Sequence, residues 1–310
     1  MAEHGKPGPA FSNPDHTEVL PESWYKQPVK YRNVPANSDL VVTLDQHLYP
    51  ALLPLIKDFA SKQQIHIAVQ EGTCGISAGA LLDKKVDIGG FCCPAGEADR
   101  LPGLKFHTLG IASLALITHP SNPVDSLTAN EARLAFAGSM ANWQQAEASN
   151  NDALSKIGQI HPVARLHCKN RPGHWRLILA NEDHFSTITN EVSTIPDMIR
   201  QIAEQPGTIG FETLWMTRLH NKYPVKLLNI DGNSAKDEQA LLDGRYPFYR
   251  NYNITTWTNN ETRKPLANEL VHYLQSHFES VDQKYGFVSS KKLRKAGWKF
   301  KDGELIAAPE

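Results

Sequence analysis

Short apolar runs alternate with amphipathic stretches along this chain, and their order predicts an α/β protein. Asp39-Leu40-Val41-Val42-Thr43-Leu44 reads as a buried strand and is closed by a turn at Asp45-Gln46-His47. Leu52, Leu55, Ile56 and Phe59 then recur at helical spacing. A second strand carries Ile65, Ile67 and Val69 into the Gly-rich turn Gly72-Thr73-Cys74-Gly75, and a short helix follows through Ala78, Leu81 and Leu82. Val86 to Phe91 is a third buried strand, ending at Cys92-Cys93-Pro94. A β-α-β-α-β run of this kind predicts a parallel sheet with covering helices.

Downstream, Leu114 to Thr118 reads as a strand broken by the turn-rich His119-Pro120-Ser121-Asn122-Pro123-Val124. Thr128 with Glu131 three residues later forms a capping box for a helix through Leu134 and Phe136. A polar loop follows Asn142-Trp143, then a strand at His161 to Leu166 with Cys168 just beyond it. Pro172-Gly173-His174-Trp175 is expected to open a helix through Leu177, Ile178 and Leu179. The rest alternates in the same way: a helix over Pro196 to Ala203, strands at Gly207 to Phe211 and Val225 to Ile230, a strand from Tyr246 to Thr256, and a helix with Leu266, Leu270, Leu274 and Phe278. Residues 1–37, rich in Pro, Asn, His and charge around Trp24-Tyr25, read as an extended surface arm, and 291–310 as a basic tail.

Composition narrows the function classes. Of 310 residues, 41% are hydrophobic and 21% charged, ordinary for a globular protein, and the formal net charge of -1 offers no attraction to nucleic acid or an anionic membrane. No apolar run approaches the ~20 residues that span a bilayer, and the first residues carry no apolar leader core.

Chemistry concentrates in the four cysteines, three of them within Val69 to Pro94. Cys74 sits where a helix N-terminus offers backbone N–H groups to an anion or a thiolate. Cys92 and Cys93 end a neighbouring strand, and two strand ends bearing thiols suggest one pocket at a sheet edge. Cys168 with His174 as nucleophile and base is a weak enzymatic alternative, because no orienting acid stands near them. No enzyme activity is expected.

The motif order resembles the phosphate-binding proteins of bacterial ABC transporters, members of the type II periplasmic binding protein superfamily. EGTCGISAGALL is similar to that family's Gly-Ser-rich turn before a helix, VDIGGFCCP to its D-I-G strand, HPSNPVDSLTANEARLAFAGSMANW to its NPV…LT…NW segment, PGTIGF to its G-x-I-G-Y strand, and RYPFYRNYNI to its YP…R…Y return. The likeness covers residues 38 to 290. It implies a two-lobed α/β fold, with parallel and mixed sheets under covering helices and the ligand held between lobes. Lobe one is 38–117 plus 246–290, and lobe two is 118–245.

The departures from that pattern shape the functional expectation. A family cleft loop R-x-x-x-S-G-T, aligned without a gap, meets Cys168-Lys169-Asn170-Arg171-Pro172-Gly173-His174, which puts Cys168 at the Arg position and His174 at the Thr. Cys74 falls where a Ser binds phosphate, Cys92 and Cys93 fall among pocket residues, and His47 and Tyr49 fall in the first-strand turn. Thiolates are soft donors, so the expected cargo is a thiophilic metal, a metalloid such as arsenite, or a [4Fe–4S] cluster on Cys74, Cys92, Cys93 and Cys168. His47, Tyr49, Thr73, Arg171 and His174 are the other candidate ligand-binding residues. Phosphate or another oxyanion remains the alternative, with Arg171 as its partner, and so do disulfides or an electron-transfer role. The resemblance further implies export to the periplasm with a leader removed, and a permease, sensor or redox partner.

Overall fold

The computed structural model describes residues 5–147, 157–259 and 262–309. The chain divides into two compact units: a first of Phe11–Ile111 with Asn251–Ala308, and a second of Met1–Ala10, Ala112–Arg250 and Pro309–Glu310.

In the first unit a short helix, α1 (Glu22–Tyr25), precedes β1 (Leu40–Asp45), α2 (Tyr49–Gln63), β2 (Ile67–Gly72), α3 (Cys74–Leu82) and β3 (Ile88–Phe91). β1 pairs in parallel with β2 on one side and β3 on the other, the expected arrangement for two βαβ crossovers. The apolar stripe of α2 buries Leu52, Ile56 and Phe59, while Leu55 is half-buried. That helix stops at Gln64, whose φ of 55° is left-handed. β4 (Leu104–Thr118) is fifteen residues long and begins ten residues before the expected strand; it runs from the first unit into the second.

The second unit continues with β5 (Ser126–Leu127), α4 (Ala129–Ala137), β6 (His161–Ala164), β7 (Asn190–Glu191), α5 (Ile195–Glu204), β8 (Thr208–Thr213), α6 (Leu214–Leu219), β9 (Lys226–Ile230) and α7 (Glu238–Leu242). β8 pairs antiparallel with β4 and parallel with β6, making a mixed sheet. The capping box forms as expected: Thr128 Oγ1 accepts the Glu131 N–H at 3.0 Å, and Glu131 Oε2 accepts the Thr128 N–H at 2.7 Å. Phe136, Trp143, Trp175 and Phe211 fill the core, with Trp143 Nε1 donating to the Gly207 carbonyl. The polar stretch after Trp143 falls in part, at 148–156, outside the described residues.

β10 (Tyr249–Trp257) returns the chain to the first unit, where it lies antiparallel to β3 with Asn253 opposite Phe91. There α8 (Pro265–His277), β11 (Phe287–Ser289), α9 (Ser290–Lys295), β12 (Lys299–Lys301) and β13 (Glu304–Ala307) complete it. Residues 290–307 therefore form a helix and a hairpin where the sequence pattern suggests only a tail. The hairpin is tied in by a buried ion pair, with the Arg100 guanidinium donating two hydrogen bonds to Glu304.

One expected element does not form. After Pro172 the chain makes only a 3₁₀ turn, His174–Leu177, in place of the helix through Leu179. Gly173 and His174 both have positive φ, 73° and 54°, a backbone from which an α-helix cannot start.

Candidate functional site

The first unit gathers three of the four cysteines. Register explains how. Asp45 at the end of β1 is level with Gly72 of β2, so Thr73 and Cys74 follow directly at that edge. Thr43 is level with Gly89 of β3, which brings the end of β3, and with it Cys92, to the same edge. Because the three strands are parallel, their C-terminal ends converge.

Cys74 Sγ lies 3.3 Å from Cys92 Sγ, and Cys92 Sγ lies 4.0 Å from Cys93 Sγ. The Cys92 N–H donates to Cys74 Sγ at 3.2 Å, and Cys74 Sγ is 4.0 Å from Asp45 Oδ2. His47, expected as a turn ligand, is fully buried; its N–H donates to Asp45 Oδ1 at 2.8 Å, and its Nδ1 lies 3.1 Å from the same oxygen. The ligand atoms of Asp45, His47 and Cys92 all lie within 4.8 Å of one another. Burial raises the Asp45 pKa above the usual carboxylate range, and Cys92 adds to the shift while His47 opposes it.

Two of the expected residues, Thr73 and Tyr49, stand at helix starts. Thr73 is the N-cap of α3, its Oγ1 accepting the Ile76 N–H. Tyr49 opens α2 and lines a groove with Leu53, Ile56, Lys57, Ala60, Ile67 and Val69.

Cys168 belongs to the second unit. It is half-buried with φ of 60°, and its carbonyl accepts the Arg171 N–H at 3.0 Å. His174 is buried against Phe211, with its ring 5.1 Å from that of His167. No S–S bond joins Cys74, Cys92, Cys93 or Cys168 in this structure.

Sequence reasoning missed Asp45 and a buried charge group in the second unit. Arg165 Nη1 and Arg250 Nη2 each lie 3.7 Å from a different oxygen of Glu212, and all three residues are at most 6% exposed. Glu212 Oε1 also accepts the Thr213 N–H. The gapless alignment, with Cys168 at the Arg position, suggests that the pocket arginine is gone; Arg165 stands three residues earlier, at the end of its strand. The signal for it was a lone Arg closing the apolar strand His161 to Leu166, and that for Arg250 was the YP…R…Y return.

Comparison with known proteins places this architecture. A family model described as a PBP superfamily domain matches residues 32–277. An ABC-type phosphate transport receptor from Vibrio cholerae is similar in structure, with TM-score 0.64, 16% identity, and coverage of 81% of this chain and 99% of that one. A putative phosphate ABC transporter substrate-binding protein from Clostridium perfringens, solved with bound phosphate, gives TM-score 0.64, 17% identity and coverage of 81% and 98%. The regulatory domain of a LysR family regulator from N. meningitidis gives TM-score 0.50, 14% identity and coverage of 81% and 97%. No curated protein sequence matches this chain. Among the described residues no helix is long and apolar enough to cross a membrane.

Proposed function

The chain belongs to the PBP superfamily, and from that premise we propose that it is a solute-binding protein that captures an oxyanion of the phosphate class for an ABC-type transporter. The observation that carries this reading is the convergence of Arg165 and Arg250 on Glu212. Within that trio two buried guanidinium groups face one carboxylate. Planar guanidinium forks suit tetrahedral oxyanions, and a low local dielectric strengthens the attraction. The phosphate-named structures with the same fold add support. In this role the protein works by capture and release, outside the cell membrane and with a permease as partner, and no turnover is proposed.

Calorimetric titration of the whole chain with phosphate, arsenate and sulfate tests it. Phosphate binding that weakens at least tenfold in Arg165→Met is the expected result. No binding of any of the three by folded protein would end the oxyanion reading.

A second reading is favoured by the 3.3 Å and 4.0 Å contacts among Cys74, Cys92 and Cys93. On that reading the cargo is a thiophilic metal or metalloid, or a [4Fe–4S] cluster serving electron transfer. Metal and acid-labile sulfide analysis of anaerobically purified protein separates the two: iron with sulfide supports a cluster, and protein free of any metal removes the second reading.

A further inference from the structure

We propose that Asp45, His47, Cys74 and Cys92 form a binding site for one borderline-soft divalent cation of the zinc class, built entirely within the first unit. The proposal narrows the thiol-held reading to a single ion, and it does not depend on the oxyanion reading, whose arginines lie in the second unit.

The donor geometry is close to what one tetrahedral ion needs. Thiolates at about 2.3 Å from zinc stand roughly 3.8 Å apart in a tetrahedron. Cys74 and Cys92 Sγ are already 3.3 Å apart, and Asp45 Oδ2 is 4.0 Å from Cys74 Sγ. The Asp45, His47 and Cys92 donors fall within 4.8 Å of one another. Cys92 links the two halves of the site, its Sγ lying 3.3 Å from Cys74 Sγ and within 4.8 Å of the Asp45 and His47 donors. Two thiols this close suit one shared ion better than a cubane, in which each thiolate holds a separate corner.

The donor chemistry fits the same class. One carboxylate, one imidazole and two thiols are a mixed O, N and S set, which zinc accepts and which magnesium or calcium would not select. Cys74 is the first residue of the nine-residue α3, where the helix N-terminus favours its thiolate, and the Cys92 N–H already points at its sulfur. Thr43, two residues before Asp45 on the same strand face, and Ser77, one turn after Cys74, carry buried hydroxyls that have no hydrogen-bond partner among the described residues. They offer outer contacts to an ion or its water. The four donor residues are at most 2% exposed, so the ion would enter as the unit folds and leave slowly.

The test is zinc content of the full chain produced with zinc in the medium, followed by cobalt substitution and absorption spectroscopy. One zinc per chain is expected, with a thiolate-to-cobalt charge-transfer band in the cobalt form. His47→Gln and Asp45→Asn should weaken cobalt binding at least tenfold, while Cys93→Ser and Cys168→Ser keep one ion per chain. If His47→Gln fails to fold, the wild-type cobalt spectrum decides: tetrahedral bands with thiolate charge transfer support the site, and an octahedral, thiolate-free spectrum overturns it. Loss of the ion in Cys168→Ser would also overturn it, as would no zinc bound to folded protein. Phosphate titration of the same sample reports separately on the oxyanion reading.

Discussion

Lys84 Nζ sits 4.1 Å from the centre of the Trp24 ring and 2.6 Å from the Trp24 carbonyl oxygen. It also donates to the Gln27 carbonyl at 2.6 Å, while Trp24 Nε1 donates to the Leu82 carbonyl at 2.7 Å. A lysine that is 1% exposed is thus solvated by main-chain oxygens and an aromatic face, and it fastens the N-terminal arm to the end of α3. Lys84→Met should cost about 2–4 kcal/mol, because it strands those carbonyls in a buried place. Urea denaturation measures the loss, and limited proteolysis should cut within residues 21–30 sooner in the variant. A loss under about 0.5 kcal/mol would show that the arm is held by other contacts.

His107 sets an acid limit on stability. Burial, followed by His272 and Lys105, lowers its pKa to about 4. In the unfolded chain it titrates near 6.5, so between these values the unfolded state binds the extra proton. Stability should therefore fall as pH drops from about 6.5 towards 4, by an amount on the order of 3 kcal/mol for this group. His107→Gln retains a polar group to meet Thr256 Oγ1, now 2.7 Å from Nε2, and should flatten that part of the profile. Parallel profiles for the two proteins would assign the effect elsewhere.

The capping box at α4 offers a smaller, local test. Thr128→Ala removes the acceptor for the Glu131 N–H and loosens Glu131, whose Oε1 also accepts the Glu147 N–H at 2.6 Å. A loss of about 1 kcal/mol is expected by thermal or urea unfolding. An unchanged midpoint would mean that water replaces the cap at no cost.

Gly110 on β4 is required for want of space. A Cβ there would collide with the carbonyl oxygen of Val288 and touch Phe278. Gly110→Ala should destabilise by roughly 1–3 kcal/mol through forced separation of these elements. A neutral result would show that residues 287–289 can shift aside freely.

Local residue order was enough for much of this fold. Alternating apolar runs predicted the parallel β1–β2–β3 arrangement, Thr128 with Glu131 announced the start of α4, and the ordered motifs pointed to the PBP superfamily. Each of these depends on neighbours within one element or on the order of elements, which a linear text carries. The 3₁₀ turn at His174, the hairpin at 299–307 and the Glu212 pairing with Arg165 and Arg250 were not legible, because long-range packing and backbone sign decide them. The thiol group shows the division most plainly. The sequence marked Cys74, Cys92 and Cys93 as belonging to adjacent strand ends, but β-sheet register alone brings Cys74 to 3.3 Å from Cys92 and puts Asp45 and His47 beside them. Residues 18 to 47 positions apart meet there because parallel strands end at one edge, a relation that hydrogen bonding between chains of residues creates and that no local pattern records.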